Sequence, residues 1–323
     1  MKRIVIVVGI AILILSVAAL LNQFINLEYR KQNIIYVGGT GKGNYSTIQG
    51  AINSSKSGAT IYIYSGIYYE KEILINKNNI KIVGENKNTT IIDGRRYETH
   101  KCNSVMNVFA NNTILKGFTI KNGYSGIYII GNKNHIEDII ITDNILNITN
   151  CSENPYGLIL FNSENNTIAN NTFYNNTGSI ILIENSTENI IYQNNITNNY
   201  NTGLKINNSS KNNLIYHNNF INNTQNAYDE SDNLWFYKNQ GNFWDDYNGS
   251  DENNDSLGDT PYIIAGGNNQ DKCPLIKPFI IEEKTTEFFV DDVSLYIMLV
   301  IGMIIAIVFV IPIALYWRKK YYT

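Results

Sequence analysis

Residues Glu164 to Asp232 read ENNTIANNTFYNNTGSIILIENS, TENIIYQNNITNNYNTGLKINNS and SKNNLIYHNNFINNTQNAYDESD. One unit is written three times with a period of about 23 residues, which is the signature of a solenoid in which each repeat is a single supersecondary unit. Ile168, Ile191 and Ile215 form one apolar column, and Phe173, Ile196 and Phe220 a second. Asn171, Asn194 and Asn218 form a third column, and Asn175, Asn198 and Asn222 a fourth. The apolar runs are short and alternate with polar residues, so they predict strands; the Asn, Gly, Ser and Thr between them predict turns. Three short strands and three turns per repeat make one coil of a parallel β-helix, with coils stacked at about 4.8 Å. An Asn-rich composition alone would not align columns.

The Asn columns carry a structural expectation. Asn tolerates left-handed backbone angles better than other residues with a Cβ. The earlier repeat NNTILKGFTIKNG, Asn111–Gly123, places Gly117 beside Asn171, Asn194 and Asn218 in this alignment. A shared Gly and Asn column predicts a corner with positive φ there. Stacked Asn side chains are also expected to hydrogen-bond from coil to coil.

Working outward, both ends of the chain carry apolar segments. Met1-Lys2-Arg3 followed by Ile4–Leu21 reads either as a secretory signal within 1–27, with Ser16-Val17-Ala18 as small residues before a cleavage point, or as a retained anchor. Residues 294–317 contain no charge and would cover about 36 Å as a helix, enough to cross a bilayer. Arg318-Lys319-Lys320 in the tail 318–323 favour the cytoplasmic side, which puts the solenoid outside the cytoplasm. The membrane is therefore an expected partner. The formal net charge of the 323 residues is −3, so no nucleic-acid footprint is present. Charged residues make up only 16%, and Asn fills the polar positions instead. Three cysteines, Cys102, Cys151 and Cys273, do not make a disulfide framework.

Residues 33–102 depart from the repeat and are expected to form an N-terminal cap and the first coils. Ser46–Asn53 predicts a short amphipathic helix capped by Ser46 or Thr47, with Ile48, Ala51 and Ile52 on its apolar face. A solenoid end exposes core and needs a cover. The repeats proper occupy 103–238. Residues 239–280 break the period again, and Phe243, Trp244 and Tyr247 are expected to cover the other end. Residues 281–293 read as a linker.

Three stretches carry a resemblance. Y-x-T-I-Q-x-A-I at Tyr45–Ile52, G-x-T-I-x-[IV]-x-x-G-x-Y-x-E at Gly58–Glu70 and IIDG at Ile91–Gly94 resemble the opening of pectin-lyase-like right-handed β-helices. The N-x-[IF]-x-N-N repeats resemble the NosD-like branch, which includes periplasmic copper-accessory and archaeal surface proteins. The terminal block also resembles that branch, through Asn242, Trp244, Asp246, Tyr247, Gly249, Asp251, Gly258, Asp259, Pro261, Tyr262, Pro274, Leu275 and Pro278. Cys273 stands where such proteins more usually carry an aromatic residue. The resemblance spans Ile34 to Pro278 and implies an all-β, right-handed parallel β-helix. It implies no single activity, because this fold hosts lyases, hydrolases, epimerases and non-enzymes.

Candidate chemistry is sparse. A lyase or hydrolase needs clustered outward acids with Arg or Lys nearby. Glu137, Asp138 and Asp143 would share a face if their strands stacked, against the alternative of an ordinary solvated surface; no Arg lies between Arg96 and Arg318. His100, Cys102 and Met106 are the one local set of soft ligands that would suit copper. Asp251, Asn253, Asp255 and Asp259 have the alternating oxygen rhythm of a calcium loop, but no distant bidentate Glu, so a plain Asx-rich turn is the competing reading. Calcium is the only cofactor the sequence suggests, and none is required. Tyr128, Tyr192 and Tyr216 fall on outward positions, where aromatics stack on sugars or simply suit a strand surface. Sequons recur at Asn88, Asn147, Asn165, Asn170, Asn175, Asn195, Asn222 and Asn248. The sequence reading is a membrane-anchored extracytoplasmic surface protein, binding carbohydrate or building the envelope, with a polysaccharide lyase or hydrolase and a copper accessory factor as alternatives.

Overall fold

The computed structural model describes residues 33–94, 103–145 and 155–282. The two terminal apolar segments, with the signal and membrane-helix expectations attached to them, lie outside the described residues, as do His100, Cys102 and Cys151. Among the described residues no helix is long and apolar enough to cross a membrane.

The chain winds as a right-handed parallel β-helix of three sheets. Sheet A stacks Ile34–Val37, Thr60–Ile63, Lys81–Gly84, Ile114–Lys116, His135–Glu137, Thr167–Ala169, Ile190–Tyr192 and Leu214–Tyr216. Sheet B stacks Gly66–Tyr68, Thr90–Asp93, Thr119–Lys121, Ile140–Thr142, Thr172–Tyr174, Asn195–Thr197, Asn219–Ile221 and Phe243–Trp244. Sheet C stacks Ile73–Ile75, Ser104–Val108, Ser125–Ile129, Tyr156–Phe161, Gly178–Ile183, Thr202–Ile206 and Gln225–Asp229. Each coil passes A, B, C in turn. The two predicted apolar columns are in register, Ile168–Ile191–Ile215 on sheet A and Phe173–Ile196–Phe220 on sheet B. All six side chains are fully buried, as alternation in a half-buried strand requires.

The corners correct the expected position of the left-handed residue. Positive φ falls one residue earlier than Asn171, Asn194 and Asn218: at Gly117, Asp138, Asn170, Gln193 and His217, with φ between 53° and 75°. Strand register aligns these five, and sets Gly84 before them. A Cβ on Gly117 would meet the Gly84 carbonyl oxygen at 2.5 Å, so glycine is needed there for close approach as well as for φ. The Asn column behind it points inward and is buried. Asn171 donates its backbone N–H to the Asn194 Oδ1 at 3.0 Å, and Asn194 donates likewise to Asn218 at 3.0 Å. The side-chain Nδ2 of each donates to the same oxygens, at 3.1 and 2.9 Å. Asn175, Asn198 and Asn222 do have positive φ, as expected, and the residues after them, Asn176, Asn199 and Asn223, form a second ladder. Asn134, Asn166, Asn189, Asn213 and Asn233 form a third, preceded by Lys133, Asn165, Glu188 and Asn212 at positive φ. Along these ladders a left-handed residue is followed by a buried amide, which satisfies backbone that a sharp turn strips of its sheet partners.

The N-terminal helix spans Ile48–Ser54, with the Thr47 hydroxyl accepting from the Gly50 N–H and with Ile48, Ala51 and Ile52 buried. Glu70 accepts from the N–H groups of Ile48 at 2.6 Å and Gln49 at 3.0 Å. The Gln49 amide exchanges two hydrogen bonds with the backbone of Leu74, as a neighbouring strand would, and thereby occupies the open edge of sheet C. At the other end Phe220, Trp244 and Tyr262 stack at centroid distances of 4.4 and 4.1 Å, and Trp235 is buried beside them. Two buried carboxylates hold this end. Asp229 accepts from Trp235 Nε1 at 2.8 Å and Asn233 Nδ2 at 2.9 Å. Asp271 accepts from the Asn242 N–H at 2.7 Å and Trp244 Nε1 at 3.0 Å.

Candidate functional site: the outer face of sheet A

Outward residues on sheet A align as Lys116, Glu137, Ala169, Tyr192 and Tyr216 on successive coils. Glu137 accepts from Lys116 Nζ at 2.9 Å and lies 2.9 Å from His135 Nε2. The His135 hydrogen bond, and then Lys116, hold its carboxyl down at about 2 against the opposing effect of burial. Glu137 is therefore ionised and committed at neutral pH, the opposite of a general acid, which needs a raised pKa. Ala169 is fully buried despite facing outward; Glu137 and Tyr192 flank this small residue in register.

The expected acid face does not assemble. Asp138 has φ 53° and pairs with Lys87 at 2.8 Å, while Asp143 has φ 56° at the next corner. Both are corner residues, where Asp serves as Asn does elsewhere; Asp138 directly follows Glu137 but pairs with Lys87 rather than joining the Lys116–Glu137–His135 cluster.

Tyr192 and Tyr216 stack with ring centroids 5.3 Å apart and planes 5° apart, and Tyr237 continues the column at 5.2 Å, tilted by 46°. The two parallel rings cover one another, so no sugar ring can lie between them. What this strip offers is ring edges and hydroxyls, spaced by the coil repeat. Burial, followed by Glu137, raises the phenol of Tyr192; burial, followed by Tyr192 and Tyr237, raises that of Tyr216. Both stay protonated as donors. Tyr128 belongs elsewhere: it faces out from sheet C between Phe109 and Phe161, against Ile159 and Ile181.

Of the soft-ligand candidates only Met106 lies among the described residues. Met106 is fully buried in the hydrophobic core on sheet C, because it alternates in phase with Val108; its thioether is packing, which corrects its expected role as a ligand. Among the described residues no three His, Cys, Asp or Glu side chains are placed to hold a metal ion. His217 stacks on Phe279 at 4.1 Å, and among the described residues Cys273 forms no disulfide. In the acidic turn Asp251 accepts from the N–H groups of Asp255 and Ser256, both at 3.1 Å. Asp255 accepts from Leu257 at 2.9 Å, and Asp259 from Glu252 at 2.7 Å. Asn253 accepts from the Asp255 N–H at 3.0 Å, so Asn253 and Asp255 each form an Asx-type turn.

This is a right-handed parallel β-helix, closed at its C-terminal end by a buried indole pair. Residues 26–249 match the family model described as "Periplasmic copper-binding protein (NosD)", and the chain belongs to that family. No curated protein sequence matches it. Among solved structures it is similar to pectate lyase Pel9A at 18% identity and a TM-score of 0.47, covering 60% of this chain and 55% of that one. It is also similar to an alginate lyase from Paenibacillus sp. (15% identity, TM-score 0.45, covering 61% and 72%) and to the pectin methylesterase PemA from Erwinia chrysanthemi (12%, 0.41, covering 65% and 73%). The chain thus spans little more than half the length of Pel9A.

Proposed function

We propose that this protein is a membrane-anchored, extracytoplasmic β-helix that binds an envelope glycan along sheet A without cleaving it. The observation that carries this reading is the Tyr192–Tyr216–Tyr237 strip, one phenol per coil along the rod axis. A linear polysaccharide laid along it would meet one hydroxyl donor per coil, and the ionised Glu137 would accept from its hydroxyls at one end. The helix Ile48–Ser54 is read as the closure of the N-terminal end, and residues 294–317 as the tether. A committed carboxylate at about 2 supports binding rather than acid catalysis. The copper chemistry in the family's description finds no matching donor set among the described residues, and no step is derived through it.

The test is a glycan array probed with the wild type and with a Tyr192→Phe/Tyr216→Phe variant, which keeps the stacked rings and removes two donors. Each lost hydrogen bond is worth about 1 kcal/mol, so binding should weaken about tenfold or more. Binding by the wild type that the variant retains in full would refute the strip, and turnover of any bound glycan would refute the non-catalytic reading.

A further inference from the structure

A second concave site, independent of sheet A, lies where the last coil meets the closing block. It is a cavity of about 670 Å³ lined in part by Gln225, Asn226, Asp245, Asp246, Tyr262 and Ile263. Its polar groups converge. Asn226 Nδ2 donates to Asp245 Oδ1 and to Asp246 Oδ1, both at 2.9 Å. Tyr262 donates its hydroxyl to Asp246 Oδ2 at 3.1 Å, and the Asn222 N–H donates to Asp245 Oδ2 at 2.6 Å. Each of the four carboxylate oxygens therefore holds one neutral donor and keeps acceptor capacity. Neither acid forms an ion pair among the described residues.

Tyr262 supplies the other half of the site. Its ring ends the stack Phe220–Trp244–Tyr262, packed against Trp244 with planes 9° apart. Trp244 is fully engaged between two rings, whereas Tyr262 has one ring partner and lines the cavity. Burial and then the Asp246 charge raise its phenol, so the hydroxyl stays a donor and fixes the ring against Asp246. An aromatic face braced from behind, with planar carboxylate and amide acceptors at its edge, is the arrangement that takes a sugar ring: apolar C–H groups on the aromatic face, hydroxyls on the acids.

We infer that this cavity binds a neutral or amino-bearing sugar residue and excludes uronates. Two carboxylates without a cationic partner among the described residues accept from hydroxyl or ammonium donors, and the same two charges repel a third carboxylate brought beside them. The charge pattern is thus opposite to what an acidic polysaccharide would need.

The test is calorimetric titration of the full chain with a glucosamine tetramer, a glucose tetramer and a galacturonate tetramer, repeated on the Asp245→Asn/Asp246→Asn variant. The substitution is isosteric but turns one acceptor of each acid into a donor, so circular dichroism should match the wild type while the melting temperature falls slightly, and binding is compared well below it. Binding of one or both of the first two ligands is expected, none of the third, and a weakening of about tenfold in the variant for whichever binds. A third variant, Tyr262→Phe, keeps the ring while freeing Asp246, and should weaken binding less than the double change. Galacturonate binding as tight as glucosamine and glucose, affinity unaltered in the Asn variant, or an acid-dependent signal with calcium alone and none with any sugar would each overturn the inference.

Discussion

Adjacent residues at one corner should respond to substitution with opposite consequences. Asn194 is fully buried and links three coils. Its Oδ1 accepts from Asn171 N–H and Nδ2, and its Nδ2 donates to the Ile168 carbonyl at 2.9 Å, the Tyr192 carbonyl at 3.0 Å and Asn218 Oδ1 at 2.9 Å. Truncation to alanine strips the Asn171 N–H of its acceptor in a dry corner. An unsatisfied buried donor costs about 1–3 kcal/mol, and each further hydrogen bond lost adds roughly 1, so Asn194→Ala should cost about 3–5 kcal/mol. Gln193, one residue earlier, sits at φ 55° and faces outward at that corner. Gln193→Gly relieves about 1 kcal/mol of left-handed strain and adds a similar loss of chain entropy, leaving stability within about 1 kcal/mol of the wild type. The assay is guanidinium denaturation followed both by far-UV circular dichroism and by tryptophan fluorescence. Trp235 and Trp244 lie at the C-terminal end, so separate transitions by the two probes would show the rod unfolding in sections. An Asn194→Ala cost under about 1 kcal/mol, or a Gln193→Gly cost equal to it, would refute the division of labour at the corner.

Two further outcomes test the C-terminal block. Burial raises the Asp271 carboxyl from 3.8 to about 6, so the folded state favours the protonated acid; the associated stability is present in full below about pH 3.8 and is lost as pH rises through 6. The shift corresponds to about 3 kcal/mol. Melting by tryptophan fluorescence should therefore fall between pH 4.5 and 7, and a flat profile would contradict the burial argument. In the acidic turn, Asp251→Ala removes two acceptors from backbone N–H groups and should cost about 1–2 kcal/mol equally with calcium or with chelator. A calcium-dependent melting shift that this variant abolishes would instead establish a calcium loop.

The periodic part of the fold was legible because the core repeats itself. Any three copies of the unit align Ile191 with its neighbours, and alternation alone gives the inward set, including Met106 beside Val108. The corner was read one residue late because Asn occupies consecutive positions, as in Asn170-Asn171. The sequence offers no local sign of which is left-handed and which is buried; Gln193 and His217, which share the column with Gly117, were the available signal. The ends were only half legible. Trp244 stood out as a bulky residue, but its hydrogen-bond partner Asp271 lies 27 residues away, and the Asn226 amide meets Asp245 and Asp246 across 19 and 20 residues. No period relates those positions, so the cavity between them is written in packing rather than in pattern. The tyrosine strip was half visible in the same way: outward phase marked Tyr192 and Tyr216, while only the geometry shows that their faces are spent on each other.

Charge is informative in this rod because folding has so little use for it. The corners are served largely by Asn, and several of the described acids do identifiable structural work. Glu70 accepts from the first turn of the helix, Asp138 takes a corner and Lys87, Glu137 is fixed by Lys116 and His135, and Asp229 and Asp271 hold the two indoles. The closing block therefore already has the two carboxylates that its tryptophans require. Asp245 and Asp246 are additional to that arrangement: exposed, adjacent, bonded by neutral donors and set at the rim of the one aromatic stack that ends at a cavity. Asp245 also accepts from the Asn222 N–H and Asp246 from the Tyr262 hydroxyl, yet bringing two like charges onto a single amide opposes folding slightly. That repulsion is offset if a ligand's donors occupy the remaining acceptor sites of the pair, which is the ground on which the acid pair is proposed as a recognition site beside the tyrosine column.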